Sequence, residues 1–288
     1  MMDSDDGFSL IVPVFNEELA IADTLDRLRE IIGDQRHEII VVDDGSTDGT
    51  SEILAQRSDI RCLRHAENLG YGAALKTGIR AARHELIAIA DGDGTYPLEE
   101  IPALVRRLQS YDMVVGARIG DNVQYSRIRS FPKVFLKLYA QWIARHPIPD
   151  LNSGLRAFRR RVVLSYLKVL PNGFSFTTTI TVALLANRHP VEFRPIDYAK
   201  RIGKSKIQPI RDTIRFAQLI VRTGIYFAPL RVIMPVAWLF FVAAAASLYN
   251  DVFRLGDLTD SSLILLGAGT QITLFALLAD MVDKRSSS

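Results

Sequence analysis

The chain has 288 residues, of which 48% are hydrophobic and 23% charged, a balance that excludes disorder and collagen-like or low-complexity architectures. A single cysteine, Cys62, excludes a disulfide framework, and no Cys/His cluster has the spacing of structural zinc. The net charge of +3 conceals a division: 9 basic and 21 acidic side chains lie in residues 1–100, 23 and 6 in 101–231, and 3 and 5 in 232–288. The acidic start, Met1–Gly7, lacks the basic and apolar regions of a secretion signal.

The first third alternates strand and helix patterns. Phe8–Phe15 reads as a buried strand, followed by a helical period over Glu17–Ile32 through Leu19, Ala22, Leu25, Leu28 and Ile32. Glu38–Val42 is a second strand, Thr50–Gln56 a short helix, and Arg61–Arg64 a short strand. Gly70–Ala82 follows as a helix and Leu86–Ala90 as a strong strand. Pro97–Leu108 is a helix with proline near its start and Glu99 and Glu100 in its first turn, and Asp112–Gly116 is another strand. Such alternation predicts an α/β domain with a mostly parallel sheet, where ligands bind at the carboxyl ends of strands.

Asp43, Asp44, Asp91 and Asp93 all fall at such ends. Single acids there are usually turn formers, and Asp48 reads as one. Asp91 and Asp93 flank Gly92, which allows close approach to the backbone, and paired carboxylates in a cleft suit a hard divalent cation that bridges a diphosphate. A calcium loop over Asp44–Gly49 fails because Ala55 stands where the bidentate glutamate belongs. A dinucleotide fingerprint also fails, since the first strand leads to Asn16-Glu17-Glu18 rather than a glycine-rich turn. The five histidines show no ligand spacing, and Lys76 is a candidate for reaching a diphosphate.

The basic middle suits phosphate or anionic lipid. Arg159-Arg-Arg161 has neither a recognition motif nor interleaved aromatics, so nucleic acid is not an expected partner. Over Ile207–Arg231, Ile210, Ile214, Ala217 and Val221 recur at helical spacing beside Arg211, Arg215 and Arg222, the pattern of an amphipathic helix on a membrane surface. Two uncharged runs follow, Val232–Tyr249 and Leu263–Ala279. At ~1.5 Å per residue they span roughly 25–27 Å, close to a hydrocarbon core. Joined by Asn250–Ser262, they predict a transmembrane hairpin, with Pro235 in the first turn of its first helix and Gln271 and Thr273 facing the partner helix. Arg215, Arg222 and Arg231 before the hairpin and Lys284 and Arg285 after it place both termini in the cytoplasm of a multi-pass protein of the cell membrane. The expected units are therefore 1–206, 207–231 and 232–288.

Ile11-Val-Pro-Val-Phe-Asn-Glu17, Val41-Val-Asp-Asp-Gly-Ser-Thr-Asp-Gly-Thr50, Asn68-Leu-Gly-Tyr-Gly72 and Asp91-Gly-Asp-Gly-Thr-Tyr-Pro97 together resemble the family-2 glycosyltransferases of GT-A fold. Asp150-Leu-Asn-Ser-Gly-Leu-Arg-Ala-Phe158 and Arg201-Ile-Gly-Lys-Ser-Lys206 resemble a narrower branch, the dolichol-phosphate mannose synthases and bacterial polyprenyl-phosphate glycosyltransferases. The resemblance implies inverting transfer of a hexose from a GDP- or UDP-sugar to dolichyl or undecaprenyl phosphate. It implies that Pro13, Phe15, Glu17 and Asp43 border the nucleoside, and that Asp91, Gly92 and Asp93 form the DxD site for the donor and Mg2+ or Mn2+. It implies that Arg118, Arg127, Arg129, Arg201, Ser205 and Lys206 bind the acceptor phosphate. Thr95 stands where the mannose synthases usually carry glutamine, and the Gln-x-x-Arg-Trp signature of processive synthases is absent.

The chemistry is consistent with that resemblance. A nucleoside diphosphate leaving group needs its developing charge neutralised. A phosphate acceptor with a second pKa near ~6 is mostly dianionic at neutral pH and attacks without a strong base. Asp150 is the candidate base or orienting residue beside Asp93, with a helix cap or a salt bridge to Arg156 as its structural alternative. Other readings are transfer to another lipid or glycan acceptor, or a silent membrane-anchored nucleotide-sugar binder. Membrane lipid is an expected partner, and a homo-oligomer is compatible with the pattern.

Overall fold

The computed structural model describes residues 7–33, 36–119, 130–197 and 221–286. Its centre is a seven-stranded sheet of order β3-β2-β1-β4-β6-β5-β7. The strands are β1 (Phe8–Val14), β2 (His37–Asp43), β3 (Arg61–Arg64), β4 (Leu86–Ile89), β5 (Met113–Arg118), β6 (Arg156–Arg159) and β7 (Val191–Ile196). All run parallel except β6, which pairs antiparallel to both β4 and β5.

Every residue of β1 is buried because helices cover both faces. Alternate side chains enter separate cores: Phe8, Leu10, Val12 and Val14 join one, and Ile11 joins the other. Ile39 and Val41 of β2 divide from Ile40 and Val42 in the same way. The first core is closed by helix α1 (Ile21–Ile32) through Ile21, Leu25, Leu28 and Ile32, by Leu54 of α2 (Thr50–Ala55), and by Ile101, Leu104 and Val105 of α4 (Ile101–Arg107). Helices α3 (Tyr71–Ala81), α5 (Ser130–Ala144), α6 (Arg160–Tyr166) and α7 (Phe176–Ala186) close the second. Gly78 lets α3 settle on the sheet, since a Cβ there would strike the Ile11 side chain.

Helix α8 (Pro229–Asn250) packs along α9 (Asp260–Ser286), and both are long and apolar enough to cross a membrane. Only 11% and 17% of their apolar windows are buried, so neither is a core helix of this chain. The turn between them is drawn in by Asp251, whose Oδ2 accepts bonds from Thr259 N at 2.9 Å, Thr259 Oγ1 at 2.8 Å and Ser262 Oγ at 2.5 Å.

Two details of the hairpin differ from expectation. Because α8 begins at Pro229, Pro235 lies inside the helix, where it removes one backbone donor. Gln271 is exposed, whereas Thr273 is half-buried one turn beyond Gly269, which packs against Phe241 of α8, and its Oγ1 donates to Gly269 O at 2.8 Å. Helix–helix contact uses small residues, with Ala237, Ala244 and Ala276 buried. Of the expected amphipathic segment, residues 207–220 lie outside the described residues, and 221–227 are helical.

Candidate active site

The loops after β1 and β2 are laced together at the carboxyl edge of the sheet. Asn16, with φ of 55°, turns the chain after β1. Its Oδ1 accepts from Thr47 N at 2.8 Å, and its own N–H donates to Ser46 Oγ at 3.0 Å. Glu17 N donates to Thr50 Oγ1 at 2.9 Å, and Glu18 Oε2 accepts from Gly49 N at 2.8 Å. Asp48 is the turn former expected, accepting from Thr50 N at 3.0 Å. Pro13 is buried in β1, while Phe15 and Glu17 are half-buried at its exit.

The two aspartates that end β2 hold loops. Asp43 is buried, with Oδ1 accepting from Ser46 N at 2.9 Å and Oδ2 from Ser51 Oγ at 2.5 Å, and Arg64 Nε lies 3.5 Å away. Asp44 accepts from Leu69 N at 3.0 Å, Gly70 N at 2.8 Å and His65 Nδ1 at 2.7 Å. His65 also meets Thr77 Oγ1 at 2.9 Å, so it is a bridge between the loop and α3.

Beyond β4, Gly92 passes close under β1, where a Cβ would meet Val14 Cγ1 at 2.8 Å. Gly94 takes φ of 68°, which turns the chain back after Asp93. Thr95 is buried, and its Oγ1 donates to Asp93 Oδ1 at 2.7 Å, so the hydroxyl orients the carboxylate. Asp91 Oδ1 accepts from the Tyr71 hydroxyl at 2.9 Å. Burial, the Asp91 charge and this bond push the Tyr71 phenol well above its ordinary pKa, which keeps it a donor. Gly154 lies against the other oxygen, where a Cβ would come to 2.5 Å from Asp91 Oδ2, and its N–H donates to the Tyr96 hydroxyl at 2.7 Å.

Among the described residues no group of three His, Cys, Asp or Glu side chains surrounds a common point. Two oriented carboxylates still fit Mg2+ or Mn2+, because such ions commonly take one or two carboxylates and complete their shell with substrate phosphate and water.

Across the edge, Arg118 ends β5 and forms a bidentate pair with Asp150: Nε to Oδ2 is 2.7 Å and a terminal nitrogen to Oδ1 is 3.0 Å. The Arg118 N–H adds 3.0 Å to Oδ2. Burial alone would raise the Asp150 pKa, but the Arg118 guanidinium and backbone donor outweigh it and hold the group below the ordinary carboxylate range. The expected alternative partner, Arg156, lies elsewhere. It is fully buried and donates to Ser153 O at 2.5 Å, Thr177 O at 3.1 Å and Thr181 Oγ1 at 3.0 Å. Burial lowers its pKa only to about 10, so it stays cationic at neutral pH.

The loop Pro171–Ser175 closes over the start of α3. Gly72 permits this, since a Cβ there would strike Pro171 O. Lys76 Nζ donates to Asn172 Oδ1 at 2.8 Å, and Phe174, 82% exposed, stacks on Tyr71 with centroids 5.6 Å apart.

Of the site residues expected from the sequence, Pro13, Phe15, Glu17, Asp43, Asp91, Gly92, Asp93, Arg118 and Asp150 lie on loops or strand ends of this edge. Arg127, Arg129, Arg201, Ser205 and Lys206 lie outside the described residues. Tyr71 stands within Asn68–Gly72, a motif that by itself gives the tyrosine no role. The available signal was a tyrosine at the helix start following a strand-ending loop.

Residues 9–167 match Glycosyl transferase family 2, and residues 228–284 match the GtrB C-terminal hairpin. The chain is 31% identical over 223 residues to the undecaprenyl-phosphate 4-deoxy-4-formamido-L-arabinose transferase of Pseudomonas paraeruginosa, covering 72% of this chain and 62% of that protein. The chain thus spans less than two thirds of that relative's length. It is 30% identical over 199 residues to the uncharacterized protein MJ1222 of Methanocaldococcus jannaschii, covering 66% of this chain and 80% of that protein. Among solved structures, glucosyl-3-phosphoglycerate synthase of Mycobacterium tuberculosis in complex with Mg2+ and uridine diphosphate superposes with a TM-score of 0.59 at 19% identity, over 77% of this chain and 79% of that one. This last likeness is one of fold.

Proposed function

The chain belongs to glycosyl transferase family 2, and from that premise we propose that it transfers a sugar, with inversion, from a nucleotide-sugar donor to the phosphate of a polyprenyl phosphate at the cytosolic membrane face. The observation that carries this reading is the union, in one chain, of a family 2 domain with a GtrB-type hairpin. The relatives named as undecaprenyl-phosphate transferases support the acceptor class.

Donor binding falls to the loops after β1, β2 and β4. Pro13, Phe15 and Glu17 border the nucleoside, and Asp43 shapes the loop against it. Asp91 and Asp93 would hold the divalent ion, which when bound neutralises charge on the departing diphosphate. Tyr71 and Thr95 keep the two carboxylates aimed. The acceptor phosphate attacks the anomeric carbon through one of its own oxygens as the bond to the diphosphate breaks on the opposite face. Arg118 grips that phosphate with its guanidinium held flat by Asp150, and Arg127, Arg129, Arg201, Ser205 and Lys206 complete the grip. Asp150, held as a carboxylate beside a guanidinium, is a positioning residue.

The test is extraction of lipid product after the full chain, in vesicles, meets labelled UDP- and GDP-hexoses and either undecaprenyl or dolichyl phosphate. A labelled glycolipid that disappears with Asp93→Ala supports the reading. Label transferred only to diacylglycerol or to soluble glycans overturns the acceptor.

A further inference from the structure

A second cationic feature lies at the opposite edge of the sheet. Tyr111 precedes β5 and Pro190 precedes β7, and both line a pocket of about 460 Å³ at the amino ends of these strands. Its other lining residues include Arg145, Arg188, Arg231, His146 and His189, and no carboxylate is among them.

Two of these arginines do not pair with the fold. Among the described residues the side chains of Arg145 and Arg188 make no hydrogen bond or ion pair, and both residues are exposed. His189, by contrast, is fully engaged, with Nδ1 2.7 Å from Asp112 and Nε2 3.1 Å from the Tyr166 hydroxyl. Asp112 in turn lies 3.5 Å from Arg159, so the nearest acid in this network is already matched.

The backbone makes the placement more telling. Arg145 follows the end of α5 with φ of 52°, and Arg188 follows the end of α7 with φ of 62°. Glycine or asparagine takes this left-handed position after a helix at little cost. An arginine there is favoured by the negative helix end, yet two such residues from different helices converge on one pocket. The third cation belongs to the membrane helix: Arg231 is near the start of α8 and donates to Ile143 O at the end of α5. The pocket is therefore walled on one side by the first turn of a helix long and apolar enough to cross a membrane, and lipid headgroups lie where such a helix enters a bilayer.

We propose that this pocket binds the phosphate of an anionic membrane lipid, one per chain, at a site separate from the strand-end cleft. Guanidinium groups meet phosphate with paired, charge-assisted bonds, and the anionic lipids of a cytoplasmic leaflet supply phosphate at that depth. A headgroup bound here ties the amino edge of β5 and β7 and the ends of α5 and α7 to the bilayer.

The experiment uses the full chain in neutral detergent, with native mass spectrometry against phosphatidylglycerol and phosphatidylcholine, and compares it with the double variant Arg145→Asn/Arg188→Asn. Asparagine suits the left-handed backbone, so lipid-free thermal stability should match the parent. One phosphatidylglycerol should be retained in preference to phosphatidylcholine, and the variant should retain it about tenfold less well. Equal retention by parent and variant, or equal retention of the two lipids, overturns the proposal. A third arm adds inorganic phosphate to the detergent sample. Stabilisation by it equal to that by phosphatidylglycerol would overturn the lipid as the source.

Discussion

Tyr71 shows how one hydroxyl can tune a carboxylate. Its bond to Asp91 is 2.9 Å long, and the phenol is held protonated. Tyr71→Phe removes only that oxygen, so the fold should persist while Asp91 loses an orienting donor. Activity should fall roughly five- to twentyfold, and the Mg2+ concentration for half-maximal rate should rise, as happens when partners of metal ligands are lost. Assay across a Mg2+ titration checks this, since a purely structural role would lower the rate without moving the metal requirement. Asp150 carries a pH prediction. Its folded pKa lies below the ordinary value of 3.8, so its stabilising pair with Arg118 is fully present above that value and is lost as the pH falls through the folded one. Nothing about Asp150 should titrate between pH 5 and 8. A rise in kcat near pH ~6 should instead follow the acceptor's second ionisation and should stay in place in Asp150→Asn. A limb that shifts in that variant would make Asp150 the base. Arg156 is a matter of stability. Arg156→Met fills similar volume but removes the guanidinium bonds to Ser153 O, Thr177 O and Thr181 Oγ1, leaving Ser153 O without its side-chain donor. Thermal unfolding should register a loss of about 2–4 kcal/mol.

At the scale of elements, α3 depends on its glycines. Gly78→Ala would drive a methyl into the Ile11 side chain, and overpacking of this kind costs about 1–3 kcal/mol, to be read as a lowered denaturation midpoint. The same scale shows what the residue pattern made legible. Strands β1, β2, β4 and β5 are readable because their apolar runs are nearly continuous, and α1 because its apolar period is regular and ends at Gly33; the short, exposed β3 is readable only from its place in the alternation. Strand β6 is not, since Arg-Ala-Phe-Arg is short and opens on an arginine, a residue rarely fully buried unless paired. It is tolerated because three carbonyl and hydroxyl oxygens from α7 and its own loop receive the guanidinium. Helix α7 was equally hidden, because Phe-Thr-Thr-Thr-Ile-Thr-Val is rich in β-branched residues that favour strands. Complete burial overrides that preference. In the candidate site, Asp91 and Asp93 were legible from their place after a strand. The pairing of Arg118 with Asp150 was not, since 32 residues separate them and only the antiparallel insertion of β6 brings them together.

At the scale of the whole molecule, the hairpin and the charge around it predict a topology. Arg222 precedes α8, Arg231 lies in its first turn, and Lys284 and Arg285 close α9, so the family 2 domain and both termini should face the cytoplasm. Exposed Cys62 must first be replaced by serine. A cysteine then placed at Leu258 should react with an impermeant maleimide from outside intact cells. Labelling only after the membrane is breached would reverse the orientation.

The place of β6 has a consequence for the order in which the nascent chain can fold. Strands β1 to β4 can pair as soon as they leave the ribosome, but β4 then presents an open edge, because its neighbour β6 is encoded about 70 residues later, several seconds at ~5–20 residues per second. During that interval β5 has emerged yet has no partner of its own, since it joins the sheet only through β6 and β7. Two unpaired apolar edges, Leu86–Ile89 and Met113–Arg118, are thus exposed at once, and each is a template for pairing with another chain. Arg156–Arg159 covers both by docking between them, and β7 then closes the far edge of β5. Arrest of synthesis before residue 156 should therefore yield an aggregation-prone intermediate, and arrest after β7 should not.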